Sequence, residues 1–317
     1  MNYLLLIVGF AVLIKASDYL VDGASSLARR AGMSDYLVGL TVVAFATSMP
    51  ELVVNLLAIK DGIDGIALGN VVGSNTLNIF IVVGLPAMIV PMFFKNKKLL
   101  REVFQTLILS VLLLYVACDS MFREGAVNVV SRWEGIVMLA LFTIWIIYTI
   151  RTSNADEAEV EKMVRLSAMR TTIYLIVGVI GLFIGGKLIV SSASSIAAAL
   201  GMSQTAIGLT VVAFGTSLPE IVTSIIAARK ISGEMAVGNV LGSNIFNGLL
   251  ILGLSASIMP VSVGETFSQL DLYITMIGSV MLMVCIGLWK KISRLWGTIF
   301  VVLYMLYVMY ALGVIKF

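Results

Sequence analysis

Histidine is absent from this sequence of 317 residues, and there are only two cysteines. The absence of histidine excludes the commonest proton shuttle and the commonest ligand of transition metals. Cys118 and Cys285 lie in or beside apolar runs with no metal-binding spacing, which indicates packing or lipid-facing thiols. Charged residues are also scarce, at 12% of the chain against roughly 25% in a typical soluble domain. A soluble fold and a site built on thiolate or imidazole ligands are therefore both disfavoured.

The residues present in excess are apolar. Hydrophobic residues make up 60% of the chain, and the mean hydropathy is +1.05. Ten apolar stretches have about 17 to 25 residues each, the length that a helix needs to cross the hydrocarbon core of a bilayer. They cover residues 3–22, 35–59, 65–90, 99–117, 133–150, 171–190, 204–228, 234–259, 270–289 and 294–315. The sequence thus predicts an all-α integral membrane protein with ten transmembrane helices.

A long polar segment divides the ten stretches into two groups of five. We predict a first five-helix unit at 1–150, a linker at 151–170 and a second five-helix unit at 171–317. The first stretch has no polar cleavage region and aligns with the sixth. It is therefore predicted to be a retained helix and not a removed signal peptide.

Lysine and arginine are distributed unevenly over the polar segments. If the N-terminus lies outside, 15 of the 21 fall in inward-facing segments, four fall in outward-facing ones, and Lys15 and Lys187 fall within spans. An excess of positive charge marks the cytoplasmic side of a membrane protein. The sequence therefore predicts that both termini lie outside, that the linker is cytoplasmic, and that the protein resides in the cell membrane, inner or plasma.

The chain contains two motifs twice, and the spacing between the copies is the same for both. TVVAFATSMPE at 41–51 returns as TVVAFGTSLPE at 210–220, and ALGNVVGSNTLN at 67–78 returns as AVGNVLGSNIFN at 236–247. Because each half has an odd number of spans, the second copy enters the membrane in the opposite orientation. Inverted repeats are typical of transporters, in which they build a pathway that opens to either side of a midplane site.

A carboxylate follows the proline in both copies of the first motif. Pro50 and Pro219 lie within spans, so each predicts a helix break that frees backbone carbonyls for ligand binding. Glu51 and Glu220 come next, and a charge near the bilayer centre costs at least about 2.5 to 3.5 kcal/mol. A binding role justifies that cost. The alternative is a pair of protonated glutamates that are hydrogen-bonded across a helix interface.

The second motif supplies small residues and neutral polar groups. Its glycines have i, i+4 spacing, which predicts close helix packing at Gly69, Gly73, Gly238 and Gly242. Such packing is expected to bring six polar side chains towards the two glutamates: Asn70, Ser74, Asn78, Asn239, Ser243 and Asn247. Asn75 and Asn244 lie on another helix face and are predicted to have a role at a helix interface.

Every candidate ligand in this set is an oxygen or an amide. Hard cations such as Ca2+ and Na+ prefer oxygen ligands, and transition metals are disfavoured. Two carboxylates neutralise one Ca2+ or two Na+, and a third Na+ held by neutral oxygens would leave a surplus charge. Ions that share one site exclude each other. This is the physical basis of exchange, as opposed to cotransport.

The paired (A/G)TSxPE and GNxxGSN motifs resemble the alpha repeats of the cation/Ca2+ exchanger superfamily, specifically the sodium/calcium exchanger branch of prokaryotic type. The resemblance covers essentially the whole chain. It implies a fold of ten helices as two inverted five-helix repeats. The second, third, seventh and eighth helices would form the ion-binding core, and the first and sixth would slide against them. It also implies the exchange of three Na+ for one Ca2+.

The resemblance also implies a role for each motif position. The implied central ligands, shared by Ca2+ and Na+, are Glu51 and Glu220, and backbone carbonyls of Thr47 and Thr216 are added for Ca2+. The implied ligands of the flanking Na+ sites are Ser48, Ser217, Ser74, Ser243 and the carbonyls of Ala44 and Ala213. Those implied at the middle site are Asn78 and Asn247.

Two positions depart from the family pattern. Ala46 replaces the usual glycine of GTS in the first repeat, which is expected to stiffen the helix break. Asn247 stands where some relatives, including potassium-dependent exchangers, carry aspartate. With asparagine at this place in both repeats, the chain is expected to be independent of K+.

The main hypothesis is a secondary active antiporter that extrudes Ca2+ in exchange for Na+ and is not an enzyme. It needs no cofactor, and its expected partners are the lipid bilayer and the substrates Ca2+ and Na+, with no nucleic acid and no obligate protein partner. One alternative is H+/Ca2+ or other cation exchange on the same fold, which the lack of histidine and the GSN sequence disfavour. An intramembrane hydrolase and a passive channel are more remote alternatives.

Overall fold

The computed structural model of the chain describes residues 1–60, 65–95, 98–118, 128–152, 165–201, 213–263 and 269–311. Most of the predicted linker and the first part of the seventh predicted span, 204–212, lie outside these residues. Within them the chain forms helices and four two-residue strands.

Three of the helices consist of three consecutive segments, of which the middle one is a π-helical turn. In chain order the helices are α1 (Asn2–Ala31), α2 (Asp35–Val38, Gly39–Val43 and Ala44–Thr47), α3 (Met49–Lys60), α4 (Gly65–Leu77, Asn78–Val82 and Val83–Ile89), α5 (Lys98–Ala117), α6 (Arg132–Thr152), α7 (Ala168–Ala199), α8 (Ala213–Thr216), α9 (Leu218–Lys230), α10 (Gly233–Ile245, Phe246–Ile251 and Leu252–Ile258), α11 (Gln269–Gly287) and α12 (Arg294–Ala311).

The helices confirm a multi-pass membrane protein. Among the described residues, eight are long and apolar enough to cross a membrane, or nine if the bent pair α2 and α3 is one span. The bounds follow the predicted stretches closely where both ends are apolar, as in α5. Helices α1 and α7 extend well beyond the predicted C-terminal ends, because less apolar residues rich in Ser and Ala continue the helix.

Helices α1 and α7 pack against each other in antiparallel directions. Near the start of α1, a Cβ on Gly9 would lie 2.8 Å from Ile189 Cγ1, near the end of α7. Near the end of α1, Ser26 Oγ lies 2.8 Å from Thr171 Oγ1, near the start of α7. Glycines let the two backbones approach closely, which favours association of helices in lipid.

Helix α10 packs closely on α2, as the Gly-xxx-Gly spacing predicts. A Cβ on Gly238 would lie 2.5 Å from Tyr36 O, and a Cβ on Gly242 would collide with Leu40 O. Because these contacts involve backbone carbonyls, only glycine allows the two helices to be this close. For Gly69 and Gly73 of the other copy, no atom of the described residues lies within 4 Å of an added Cβ, and the positions that correspond to Tyr36 and Leu40 in the second repeat lie outside the described residues.

Two short antiparallel ribbons connect loops from different halves of the chain. Strand β1 (Met92–Phe93) pairs with β4 (Lys291–Ile292), and β2 (Val129–Val130) pairs with β3 (Val261–Ser262). The first residues of β1 and β3 have the same separation along the chain as the copies of the duplicated motifs. Strands β1 and β3 thus occupy equivalent positions in the two halves.

A buried acid lies at the junction of α2, α5 and α6. Glu102 is 0% exposed, and its carboxylate accepts hydrogen bonds from Tyr36 Oη at 3.1 Å, Arg101 Nη2 at 2.6 Å and Trp145 Nε1 at 3.3 Å. Paired in this way, a buried carboxylate is tolerated. The sequence predictions gave Glu102 no role, although an acid within an apolar stretch signals a buried partner.

Candidate cation-binding site

A break in the helix precedes each of the two site glutamates. Helix α2 ends at Thr47 and α3 begins at Met49, with a bend of 42° between them. Ser48 joins them with φ −81° and ψ 3°, and Ser217 joins α8 to α9 with φ −90° and ψ 3°. The predicted break is confirmed, but it falls two residues before the proline. Pro50 lies in the first turn of α3, where a missing N–H leaves no helical hydrogen bond unmade.

The two glutamates lie in corresponding positions at the start of a helix. Glu51 is in the first turn of α3 and Glu220 is in the first turn of α9. Both side chains are 1% exposed. The N-terminal end of a helix carries a positive partial charge, which stabilises a carboxylate there. The fold therefore holds two acidic groups away from water at the N-terminal ends of two helices.

Each glutamate contacts the serine of the other motif copy. Ser217 Oγ donates to Glu51 Oε1 at 3.4 Å, and Ser48 Oγ donates to Glu220 Oε1 at 3.5 Å. The remaining oxygens, Glu51 Oε2 and Glu220 Oε2, are buried without a hydrogen-bond partner among the described residues. The two halves of the chain thus present their carboxylates to each other across one interface.

Two asparagines complete this arrangement from the π-helical turns of α4 and α10. The turn that begins at Asn78 packs against α9, which carries Glu220, and the turn that contains Asn247 packs against α3, which carries Glu51. Both amides are buried. The Oδ1 atoms of Asn78 and Asn247 also have no hydrogen-bond partner within the described part of the chain.

Four buried acceptor oxygens therefore remain unsatisfied at this interface. A buried polar atom without a partner costs roughly 1 to 3 kcal/mol, and more when it is charged. A bound cation would remove that cost, because carboxylate and amide oxygens are the ligands that Ca2+ and Na+ prefer. The described residues contain no group of three or more His, Cys, Asp or Glu that could hold a metal ion. The site is thus a mixed set of two acids and neutral oxygens.

Hydroxyls and amides of the two motifs tie the broken helices to their neighbours. Thr47 Oγ1 lies 3.1 Å from Asn239 Oδ1 and 3.4 Å from Ser243 Oγ, which connects the end of α2 to α10. Asn239 and Asn70 were predicted to approach the glutamates. Their amides donate to Ser224 Oγ at 3.0 Å and Asn55 Oδ1 at 2.7 Å, one turn after each glutamate.

The structure buries every predicted site side chain that it describes. These are Thr47, Ser48, Glu51, Ser74, Asn78, Thr216, Ser217, Glu220, Ser243 and Asn247, together with Ala44. The side chain of Ala213, which begins α8, lies outside the description. The Ala44 carbonyl accepts a hydrogen bond from Ser48 N at 3.0 Å. Direct ligation of an ion by each of these residues stays a prediction.

Some polar groups near the site carried no prediction of their own. Asn55 and Ser224, which hold Asn70 and Asn239, occupy equivalent positions in the two repeats, as Glu51 and Glu220 do. The presence of a polar residue at this position in both repeats was the sequence signal that could have identified them. Away from the site, Lys230 Nζ lies 2.9 Å from Asp18 Oδ1 on α1, so this acid serves an ion pair between helices.

Comparisons with known proteins cover nearly the whole chain. A family model described as sodium/calcium exchanger protein matches residues 1–151 and 170–313. A putative antiporter, CaxA of Alkalimonas amylolytica, is 36% identical, with 92% of this chain and 93% of that protein covered. The sodium/calcium exchanger MaX1 of Methanosarcina acetivorans is 32% identical, with 96% of each covered. A solved structure of the sodium-calcium exchanger NCX_Mj matches with a TM-score of 0.83 and 31% identity over 98% of both chains.

Proposed function

The chain belongs to the sodium/calcium exchanger family, and from this membership we propose that it exchanges Na+ for Ca2+ across the membrane by alternating access. The family supports cation/Ca2+ antiport, with the ions as substrates and no cofactor, and its members matched here are transporters and not enzymes. The observation that carries the proposal is the set of four unsatisfied buried oxygens on Glu51, Glu220, Asn78 and Asn247.

The charge of the site governs the proposed stoichiometry. Two carboxylates neutralise one Ca2+, so the Ca2+-loaded site is neutral. Two Na+ would do the same, and a third Na+ on the neutral hydroxyl and carbonyl oxygens would add one positive charge. Exchange of three Na+ for one Ca2+ therefore moves net charge, and an inward Na+ gradient would drive Ca2+ out of the cell.

We assign the ligands by their place in the motifs. Glu51 and Glu220 hold Ca2+ and Na+ in turn, and the carbonyls of Thr47 and Thr216 complete the Ca2+ site. The flanking Na+ sites use Ser48, Ser74, Ser217, Ser243 and the carbonyls of Ala44 and Ala213. The middle site uses Asn78 and Asn247. Reciprocal contacts between each glutamate and the serine of the other copy support this assignment.

The fold proposed for this mechanism has ten membrane helices in two inverted repeats, 1–150 and 171–317, joined by a cytoplasmic linker at 151–170. The antiparallel packing of α1 on α7 supports it, because Gly9 and Gly178 occupy equivalent positions in the two repeats and each packs on the other helix. Two copies of one unit that enter the membrane in opposite directions give this arrangement. Both termini then lie on the outer side of the cell membrane.

Labelling of cysteines is expected to reveal this orientation. Tyr3→Cys and Met169→Cys change exposed side chains near the N-terminus and at the start of α7. A membrane-impermeant maleimide should label the first variant on intact cells and the second only after permeabilisation. The unmodified chain is the control, because Cys118 and Cys285 are buried. The reverse labelling pattern would contradict the proposed orientation.

Transport is tested with the purified chain in proteoliposomes. Vesicles loaded with Na+ and diluted into Na+-free medium should accumulate radioactive Ca2+, and vesicles without a Na+ gradient should not. An inside-positive potential should accelerate this uptake because three Na+ leave for each Ca2+ that enters. Addition of K+ to both sides should have no effect. Uptake that follows a pH gradient in the absence of Na+ would favour H+/Ca2+ exchange and contradict the proposal.

A further inference from the structure

Asn75 and Asn244 form a reciprocal contact between α4 and α10. Asn75 Nδ2 donates to the backbone oxygen of Asn244 at 3.3 Å, and Asn244 Nδ2 donates to the backbone oxygen of Asn75 at 3.3 Å. Both side chains are buried. This agrees with the predicted role of these two residues at a helix interface.

The same two side chains also hold the asparagines of the middle site. Asn247 Nδ2 donates to Asn75 Oδ1 at 3.1 Å, and Asn78 Nδ2 donates to Asn244 Oδ1 at 3.0 Å. Asn75 and Asn244 therefore use both ends of their amides. Asn78 and Asn247 use only the NH2 end, and their Oδ1 atoms remain without a partner among the described residues.

The orientation of these amides matters for cation binding. The oxygen and the NH2 group of an asparagine have similar shapes, but only the oxygen can coordinate a cation. If the Asn78 amide turned by half a rotation, its NH2 group would face the site and its oxygen would meet Asn244 Oδ1, another acceptor. The contact with Asn244 therefore selects the orientation in which oxygen faces the site.

We propose that Asn75 and Asn244 are positioning residues that fix the amides of Asn247 and Asn78 across the repeat interface, so that the middle site presents only oxygens. The inference rests on the proposed function, because it assumes that cations bind between the glutamates. In each half of the chain, one asparagine then sets the orientation of a ligand amide in the other half. Cation affinity then depends on side chains that touch no cation.

Calorimetric titration of the purified full chain with Ca2+ tests this through double-mutant cycles. Asn244→Leu should weaken Ca2+ binding by about 5- to 10-fold, the effect of one lost hydrogen bond. Asn78→Ala should weaken it by a similar or larger factor because a ligand oxygen is removed. The double variant of Asn244 and Asn78 should bind no more weakly than Asn78→Ala alone, because Asn244 acts through Asn78.

The matched control pairs Asn244→Leu with Asn247→Ala, because Asn247 is held by Asn75 and not by Asn244. In this double variant, the factors by which the two single changes weaken Ca2+ binding should multiply. A purely structural role of Asn244 would give multiplied effects in both cycles and overturn the proposal. If Asn244→Leu does not give a monodisperse protein, Asn244→Ser serves in the same cycles. Failure of the unmodified chain to bind Ca2+ would contradict the proposed function instead, and the cycles repeated with Na+ would then decide the inference.

Discussion

Glu51→Gln is expected to abolish Na+-dependent Ca2+ uptake, and Glu220→Gln is expected to do the same. Glutamine keeps the shape of the side chain but removes one of the two charges that balance Ca2+. Loss of one partner from a buried charge pair costs about 3 to 5 kcal/mol, and each 1.4 kcal/mol is a factor of ten in affinity. Ca2+ affinity should therefore fall by roughly 100-fold or more in each variant.

Glu234→Gln is the matched control for this prediction. Glu234 lies in the first turn of α10, as Glu51 does in α3, but it accepts a hydrogen bond from Lys95 N at 2.6 Å outside the site. This variant should transport normally. A thermal unfolding assay separates folding from binding, since Ca2+ should raise the unfolding temperature of the control and not that of the site variants. Retained uptake in either site variant would show that the central ligands are misassigned.

The spans could be predicted because a bilayer leaves little choice of structure. Backbone polar groups in lipid must be paired within the segment, so an apolar stretch such as 99–117 becomes a helix, here α5. The helix breaks could also be predicted, since proline cannot continue a helix. Their exact position at Ser48 and Ser217 could not, because proline is tolerated in the first turn of the following helix.

The burial of the two glutamates at the contact between the repeats could be predicted, because a charge inside an apolar span is costly and the chain carries it twice. The hydrogen bonds among the four asparagines could not be predicted in the same way. The bonds of Asn75 and Asn244 to Asn247 and Asn78 depend on how the two halves meet. The motif gives the sequence position of each asparagine, but not which end of its amide faces the partner.

The short ribbons also escaped prediction, for a different reason. A strand as short as Met92–Phe93 has no periodic pattern, and its hydrogen bonds go to Lys291–Ile292 in the other half of the chain. Only the tertiary arrangement of α4, α5, α11 and α12 brings these loops together.

Gly242→Ala is expected to damage both the fold and the site, although it adds a single methyl group. The new Cβ would collide with the Leu40 carbonyl and would lie 2.6 Å from Ala44 Cβ. If α2 shifts to make room for the methyl group, Thr47 and Ser48 at its end shift with it. If α10 shifts, Ser243 moves with it. Overpacking of this kind costs about 1 to 3 kcal/mol. The variant should therefore unfold at a lower temperature and bind Ca2+ more weakly.

Gly186→Ala provides the same chemical change at a buried position of α7 that has room for it. The nearest atom to its new Cβ is Pro219 Cγ at 3.9 Å, an ordinary contact. Thermal unfolding and Ca2+ titration of both variants should show a loss only for Gly242→Ala. Equal behaviour of the two would mean that α2 and α10 can separate freely. The cross-repeat contacts of Thr47 with Asn239 and Ser243 would then not hold the site together, since these contacts depend on that close approach.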